Sequence, residues 1–239
     1  MRLRPKIRTR PETAPAIASE LIRAGAEVNA PGQIQQGETP LHQAVSNNNV
    51  EVAEVLLKAG ADPEITGRFD GTLDTALGYA LFFGLNDHLP TFRLNCPELL
   101  IGHGAKVYLP FAAALNDLHN VRKFFFPDHS LHPAAGLAPS EITLQQAFLF
   151  ACRHGHYQIC EYLLYRGAKV NAALDFFQYQ KVTGLHLACE KGLNPDLIRL
   201  LLRNGADLKA RDEVYQASPA GWAMFFGQDQ AFDLLHGRK

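Results

Sequence analysis

Apolar positions along the chain fall into a repeating block: two aliphatic residues, two further positions, then glycine. The block occurs as LIRAGAEVNA from Leu21, LLKAGADPEI from Leu56, LIGHGAKVYL from Leu100, LLYRGAKVNA from Leu163 and LLRNGADLKA from Leu201, with a shortened LLHGRK at the end. Adjacent aliphatics in a last helical turn face a core, and a glycine just past the end takes the left-handed conformation that closes the helix. The complementary signal, a helix start, is ETPLHQA from Glu38 and TGLHLAC from Thr183, where a Thr precedes the first apolar turn and Pro40 occupies the first helical position. Proline there loses no hydrogen bond, because that amide has no intrahelical partner. The glycines Gly25, Gly60, Gly104, Gly167 and Gly205 are 35, 44, 63 and 38 residues apart, so the longest interval holds two short units. Each unit therefore reads as helix, turn, helix and loop, in an all-α chain with internal repetition.

The residues of these units resemble the ankyrin repeat family, in a divergent, bacterial-type form. GETPLHQAVSNNNVEVAEVLLKAGADPE from Gly37 follows the family pattern almost position for position, with Asn48 and Asn49 where the family has Gly-His. TGLHLACEKGLNPDLIRLLLRNGADLKA from Thr183 follows it with Gly184 for proline, and QAFLFACRHGHYQICEYLLYRGAKVNA from Gln146 keeps the second half. The resemblance implies an ankyrin-repeat solenoid of stacked helix-turn-helix units with hairpin loops, about six repeats plus a half repeat at the N-terminus. ETAPAIASELIRAGAEVNA is a second helix without a convincing first, which suggests further repeats upstream in a fuller parent.

Departures from the pattern locate irregularities. TALGYALFFG and SPAGWAMFFG fit the first helix with Gly78 and Gly221 where the family has the histidine that ties one turn to its neighbour. An insertion at 86–95 lengthens one helix connection, and YLPFAAALNDLHNVRKFFF from Tyr108 is a shrunken repeat. The prolines of PDHSLHPAAGLAPSEI, residues 127–142, predict a connection dividing the single domain 1–239 into sub-stacks 11–126 and 143–237.

Composition narrows the class. With 239 residues, 47% hydrophobic, 20% charged and a net charge of -1, the chain reads as a globular protein with no global pull towards nucleic acid or acidic membranes. One local exception is the arm MRLRPKIRTR, where Arg2, Arg4, Lys6, Arg8 and Arg10 stand without an acid. No apolar run reaches the roughly 18 residues of a membrane span and no signal-like segment follows the start, so the expected location is cytoplasmic. The cysteines Cys96, Cys152, Cys160 and Cys189 read as reduced core residues.

ACRHGHYQIC, residues 151–160, spells metal ligands within nine positions, and zinc needs four of them converging on one point. Repeat register argues otherwise: Cys152 and Cys160 take small core positions, His156 starts the second helix and His154 points outward, so no metal is expected. His42 and His186 recur at one repeat position, where the resemblance implies a bond within the turn and to the next repeat. No catalytic or phosphate-binding motif is present, and neither an enzyme, a cofactor nor a small-molecule substrate is expected.

What remains is surface. The resemblance implies a concave face that binds a protein partner, reached by the pairs just before each turn: Ser46 and Asn47, Phe82 and Phe83, Arg153 and His154, Glu190 and Lys191, Phe225 and Phe226. Phe176, Phe177 and Tyr179 lie in an unusually long hairpin loop and join that candidate surface. The paired phenylalanines read either as anchors for an apolar segment or as core under a neighbouring loop, since each ring is worth roughly 1.5–3 kcal/mol when buried. The expected function is non-catalytic protein binding. A dedicated inhibitor or immunity-type protein would use the same face, and nucleic-acid association through the basic arm is a third reading.

Overall fold

The computed structural model describes residues 13–32, 37–67, 72–83 and 95–237. The basic arm and residues 86–94 of the insertion lie outside the described residues. Two compact units divide the chain between Lys106 and Val107.

In the first unit, α1 (Ala14–Arg23), α3 (Val50–Lys58) and α5 (Asn95–Gly102) form an outer layer, and α2 (Pro40–Ser46) and α4 (Ala76–Phe82) an inner one. The second unit repeats the scheme. Its inner helices are α6 (Leu109–Ala114), α8 (Ser140–Arg153), α10 (Gly184–Lys191) and α12 (Pro219–Phe225), each packed on the next. Its outer helices are α7 (Leu118–Lys123), α9 (Tyr157–Tyr165), α11 (Pro195–Arg203) and α13 (Asp229–Leu235). A hairpin of β1 (Leu174–Phe176) and β2 (Tyr179–Val182) precedes α10, paired antiparallel with Leu174 opposite Val182.

Local chemistry sets these boundaries. Thr39, Thr183 and Ser218 are extended residues ahead of α2, α10 and α12. Asn49, Asp117 and Asn194 accept backbone amides at the starts of α3, α7 and α11, filling bonds that the first turn leaves open. At the outer-helix ends Gly60 (φ 93°) donates to the Leu57 carbonyl at 3.1 Å while Ala61 donates to Leu56 at 3.0 Å, which closes the last turn. A Cβ on Gly60, Gly104 or Gly167 would meet nothing within 4 Å, so glycine is needed there for its backbone conformation and not for space.

The division of the chain differs from the proline-based expectation. The segment 127–142 carries a short 3-10 turn at Pro133–Ala135 and a bridge between Phe125 and Leu131, and lies within the second unit. Helices α6 and α8 on either side of it pack directly against one another, so the prolines route a connection over a continuous core.

Candidate partner-binding surface

The turns after α2, α6, α8, α10 and α12 each contain a residue of positive φ: Asn48, Asn116, Gly155, Gly192 and Gly227. Counting back from that residue gives these repeats a common register, with Ser46–Asn47, Arg153–His154, Glu190–Lys191 and Phe225–Phe226 two and one before it; Phe82 and Phe83 hold the same places before Gly84 in the sequence. The two positions have different fates. A residue two before the turn faces the next repeat, because each helical step rotates the side chain by about 100°.

Three of the five leading residues are buried, which corrects the expectation of a solvent-facing row. Phe82 is only 2% exposed and meets Phe83 edge-on at 4.7 Å between ring centres. Arg153 and Glu190, also buried, join in a two-pronged ion pair: Nε to Oε2 at 3.1 Å and Nη2 to Oε1 at 3.0 Å. The Tyr179 hydroxyl donates to the same Oε1 at 3.2 Å. Burial, with the Glu190 charge beside it, pushes that hydroxyl up to about 12. Opposite charges one repeat apart at the same register were the sequence signal for this pair.

The trailing residues keep solvent contact. Phe83, His154, Lys191 and Phe226 are half-buried and Asn47 is exposed, with Ser46 half-buried beside it. In the long hairpin, Phe176 is buried edge-on against Phe150 at 4.9 Å, and Phe177 is half-buried in a left-handed backbone conformation (φ 53°). Phe176 and Tyr179 are therefore packing residues, and Phe177 is the aromatic of this loop that reaches solvent. Tyr179 rests against Trp222 at 4.8 Å, so the loop closes over the last inner helix through the indole and not through Phe225.

Phe225 is 79% exposed and Met224 70%, beside a pocket of about 240 Å³ lined by Tyr215, Ala217, Gly221, Trp222, Met224, Phe225 and Phe226. Beneath it the Asp212 carboxylate accepts from the Trp222 indole at 3.0 Å and from the Tyr215 and Ala217 amides. Burial alone would raise this carboxyl; the three donors outweigh it and hold it below the usual carboxylate value.

The titratable groups singled out from the sequence are used in repeat-to-repeat bonding. His42 Nδ1 accepts the Thr39 amide at 3.1 Å, which leaves the proton on Nε2 for the Asp74 carbonyl at 3.0 Å. His186 does the same between Thr183 (3.2 Å) and the Ala217 carbonyl (3.2 Å). Where the next repeat has glycine in place of its own histidine, the preceding ring packs edge-on against the following aromatic: His42 on Tyr79, His186 on Trp222. His156 Nε2 donates to the Ala114 carbonyl at 2.9 Å. Burial lowers the pKa of all three imidazoles.

Within ACRHGHYQIC, Cys152 and Cys160 face each other in the core, 3.7 Å between sulfurs, while the His154 ring stacks on Phe150 and on His156. The four side chains do not converge, and no group of three or more His, Cys, Asp or Glu suited to a metal occurs among the described residues. Burial pushes the Cys96 thiol up to about 11 and the Cys189 thiol up to about 12, so neither is a ready nucleophile. Among the described residues no helix is long and apolar enough to cross a membrane.

Comparison with known proteins agrees with this construction. A family model described as ankyrin repeats (3 copies) matches residues 109–212 and 148–238, and an ankyrin repeat model matches 36–68. The chain is 31% identical over 181 residues to Ankyrin repeat protein nuc-2 of Neurospora crassa, covering 75% of this chain and 16% of that protein. It is 29% identical over 183 residues to Ankyrin repeat and KH domain-containing protein mask-1 of Caenorhabditis elegans, covering 74% of this chain and 6% of that protein. The chain thus spans a small part of the length of these relatives. The human ASB11 ankyrin repeat domain aligns over 97% of this chain and 98% of its own, at 20% identity and a TM-score of 0.41. With family models covering more than half of its residues, on a backbone whose turns and histidine ties repeat in register, the chain belongs to the ankyrin repeat family.

Proposed function

We propose that this chain is a non-catalytic protein-binding module whose partner rests on the exposed ends of the inner helices in the second unit. The observation that carries this reading is the row His154, Lys191 and Phe226, half-exposed at one register in consecutive repeats, with Phe177 in the hairpin. Directly before the first two of these, Arg153 and Glu190 lock neighbouring helices together. A row held so firmly costs a partner little ordering entropy. Its composition of cation, imidazole and aromatic ring suits a segment with both acidic and apolar side chains. His42, His156 and His186 are engaged in repeat-to-repeat bonds and the four cysteines are buried, which supports binding over catalysis.

The test places a photo-reactive benzophenone side chain at His154, at Lys191 or, as a control, at Tyr165 on α9, which is 69% exposed. The expected result is one discrete protein adduct from the first two positions and none from the third. Adducts from Tyr165 alone, or the same pattern from all three, would move the binding surface elsewhere.

A further inference from the structure

The hairpin of β1 and β2 turns through Phe177 and Gln178, since Phe176 stands opposite Tyr179. Phe177 has a left-handed φ of 53° and Gln178 does not, which is the pattern of a two-residue turn whose first position glycine normally fills. The other non-glycine residues of positive φ among the described residues are Asn48, Asn116, His129, Lys181 and Gln216, so Phe177 is the apolar side chain held in this conformation. A bulky residue is strained there, because its Cβ crowds the neighbouring carbonyl, and it persists only where its surroundings enforce it.

The surroundings fix the hairpin through its other residues. On one side Asp175 accepts the Lys181 amide at 3.2 Å and the Lys181 ammonium at 3.1 Å. On the other the Gln180 carbonyl accepts the Glu213 amide at 3.0 Å, and the Tyr179 hydroxyl donates to Glu190. Phe176 fills the core against Phe150. Glycine at 177 would keep these bonds and remove the strain, so the fold by itself does not call for a ring at that position. The half-buried Phe177 ring lies 6.0 Å from the Phe150 ring, on which His154 also stacks at 6.2 Å. Phe177 and His154 thus share one buried ring as their floor, and Lys191 holds the register of His154 one repeat further on. Inner helices α8 and α10 pack directly, and helices in such contact lie about 8–10 Å apart, a span that about three residues of extended chain cover.

We infer that Phe177 is the specificity-determining residue of this row: it receives an aromatic or large aliphatic side chain from an extended partner segment, whose carboxylate, about three residues away, reaches Lys191. The inference rests on the binding surface proposed above and names the side chains that surface selects. An aromatic ring suits the role because it offers a large apolar area with only two side-chain torsions to fix. Strain at the turn is the counterpart of keeping that ring where glycine would be more comfortable.

The test selects a random peptide library, displayed on phage, against the full chain and titrates the fluorescein-labelled consensus peptide by anisotropy. The expected consensus pairs an apolar side chain with Asp or Glu about three residues away. Phe177→Gly should weaken its binding at least about tenfold, and Lys191→Gln at least about threefold. Replacing the apolar residue of the peptide by alanine should cost about tenfold on the wild type and less than about twofold on Phe177→Gly, where that contact is already gone. Phe177→Gly should melt no more than about 4 °C below the wild type, because relief of strain offsets the lost packing. A larger drop marks the ring as packing and overturns the inference. Wild-type affinity in Phe177→Gly, with the loss in Lys191→Gln intact, also overturns it and leaves the binding surface standing. A library without a consensus, or a consensus peptide indifferent to both variants, overturns the surface as well.

Discussion

The chain writes Phe-Phe twice at one register of its repeat, and the two pairs have opposite surroundings. Phe82 is enclosed at 2% exposure and Phe225 stands out at 79%. Hydropathy does not separate them. At the same register Arg153 and Glu190, among the most polar residues available, are buried. The difference teaches that exposure two residues before the turn depends on whether another element covers the helix, and on how the covered side chain is satisfied. Glu190 is covered by α12 and tolerates it because Arg153 and Tyr179 fill its lone pairs. Phe225 needs no such partner; its ring meets Tyr215 at 6.5 Å and Phe226 at 5.1 Å and is otherwise open.

The comparison can be broken most directly by making one change at both sites. Phe82→Ser should cost about 4 kcal/mol in urea unfolding, through lost burial, a cavity and a stranded hydroxyl. Phe225→Ser should change the stability by less than about 0.5 kcal/mol. Equal losses at the two positions would show that Phe225 is core, as Phe82 is.

The buried ion pair sharpens the same point from the polar side. Arg153→Met alone leaves a buried carboxylate unpaired and should cost about 3 kcal/mol, whereas Arg153→Met with Glu190→Leu should recover most of that loss. A double-mutant cycle read by chemical denaturation decides it; additive losses would mean the charges act separately.

A smaller effect is expected from acid. His42, His156 and His186 have lowered pKa values in the folded chain, so the unfolded chain takes up protons first as pH falls. Their neutral forms are therefore no burden above the unfolded value near 6.5, and stability should fall below it, by up to about 1.4 kcal/mol per pH unit for each histidine. Melting temperature should be level from about pH 7 to 8 and decline from about pH 6.5 to 5. His186→Gln should flatten part of that decline; an unchanged slope would remove His186 from the account.

The smallest change is at the outer-helix ends. Gly167→Ala should cost about 1 kcal/mol, all of it from the left-handed backbone (φ 100°), since the added methyl meets nothing within 4 Å. A stabilised variant would show that the helix does not need this closure.

The repeat, its helix ends and the histidine ties were legible in the linear chain. Each depends on contacts within a few residues, or on a spacing that recurs, as in Thr39 with His42 and Thr183 with His186. The buried fate of Cys152 and Cys160 followed from register for the same reason. The surface positions were legible only in part. Both members of each pair were expected on the surface; those one before the turn are half-buried or exposed, while Phe82, Arg153 and Glu190, two before it, are buried.

The sequence by itself determined that this is a helical repeat protein of the ankyrin family, and where its helices start and stop. Capping residues, left-handed glycines and the aliphatic period all act locally, so they are readable one segment at a time. Only the tertiary structure decided which members of equivalent pairs are core and which are surface. That depends on the neighbouring repeat: Arg153 is buried because Glu190 arrives from 37 residues away, and Phe225 is exposed because no corresponding helix lies over it among the described residues.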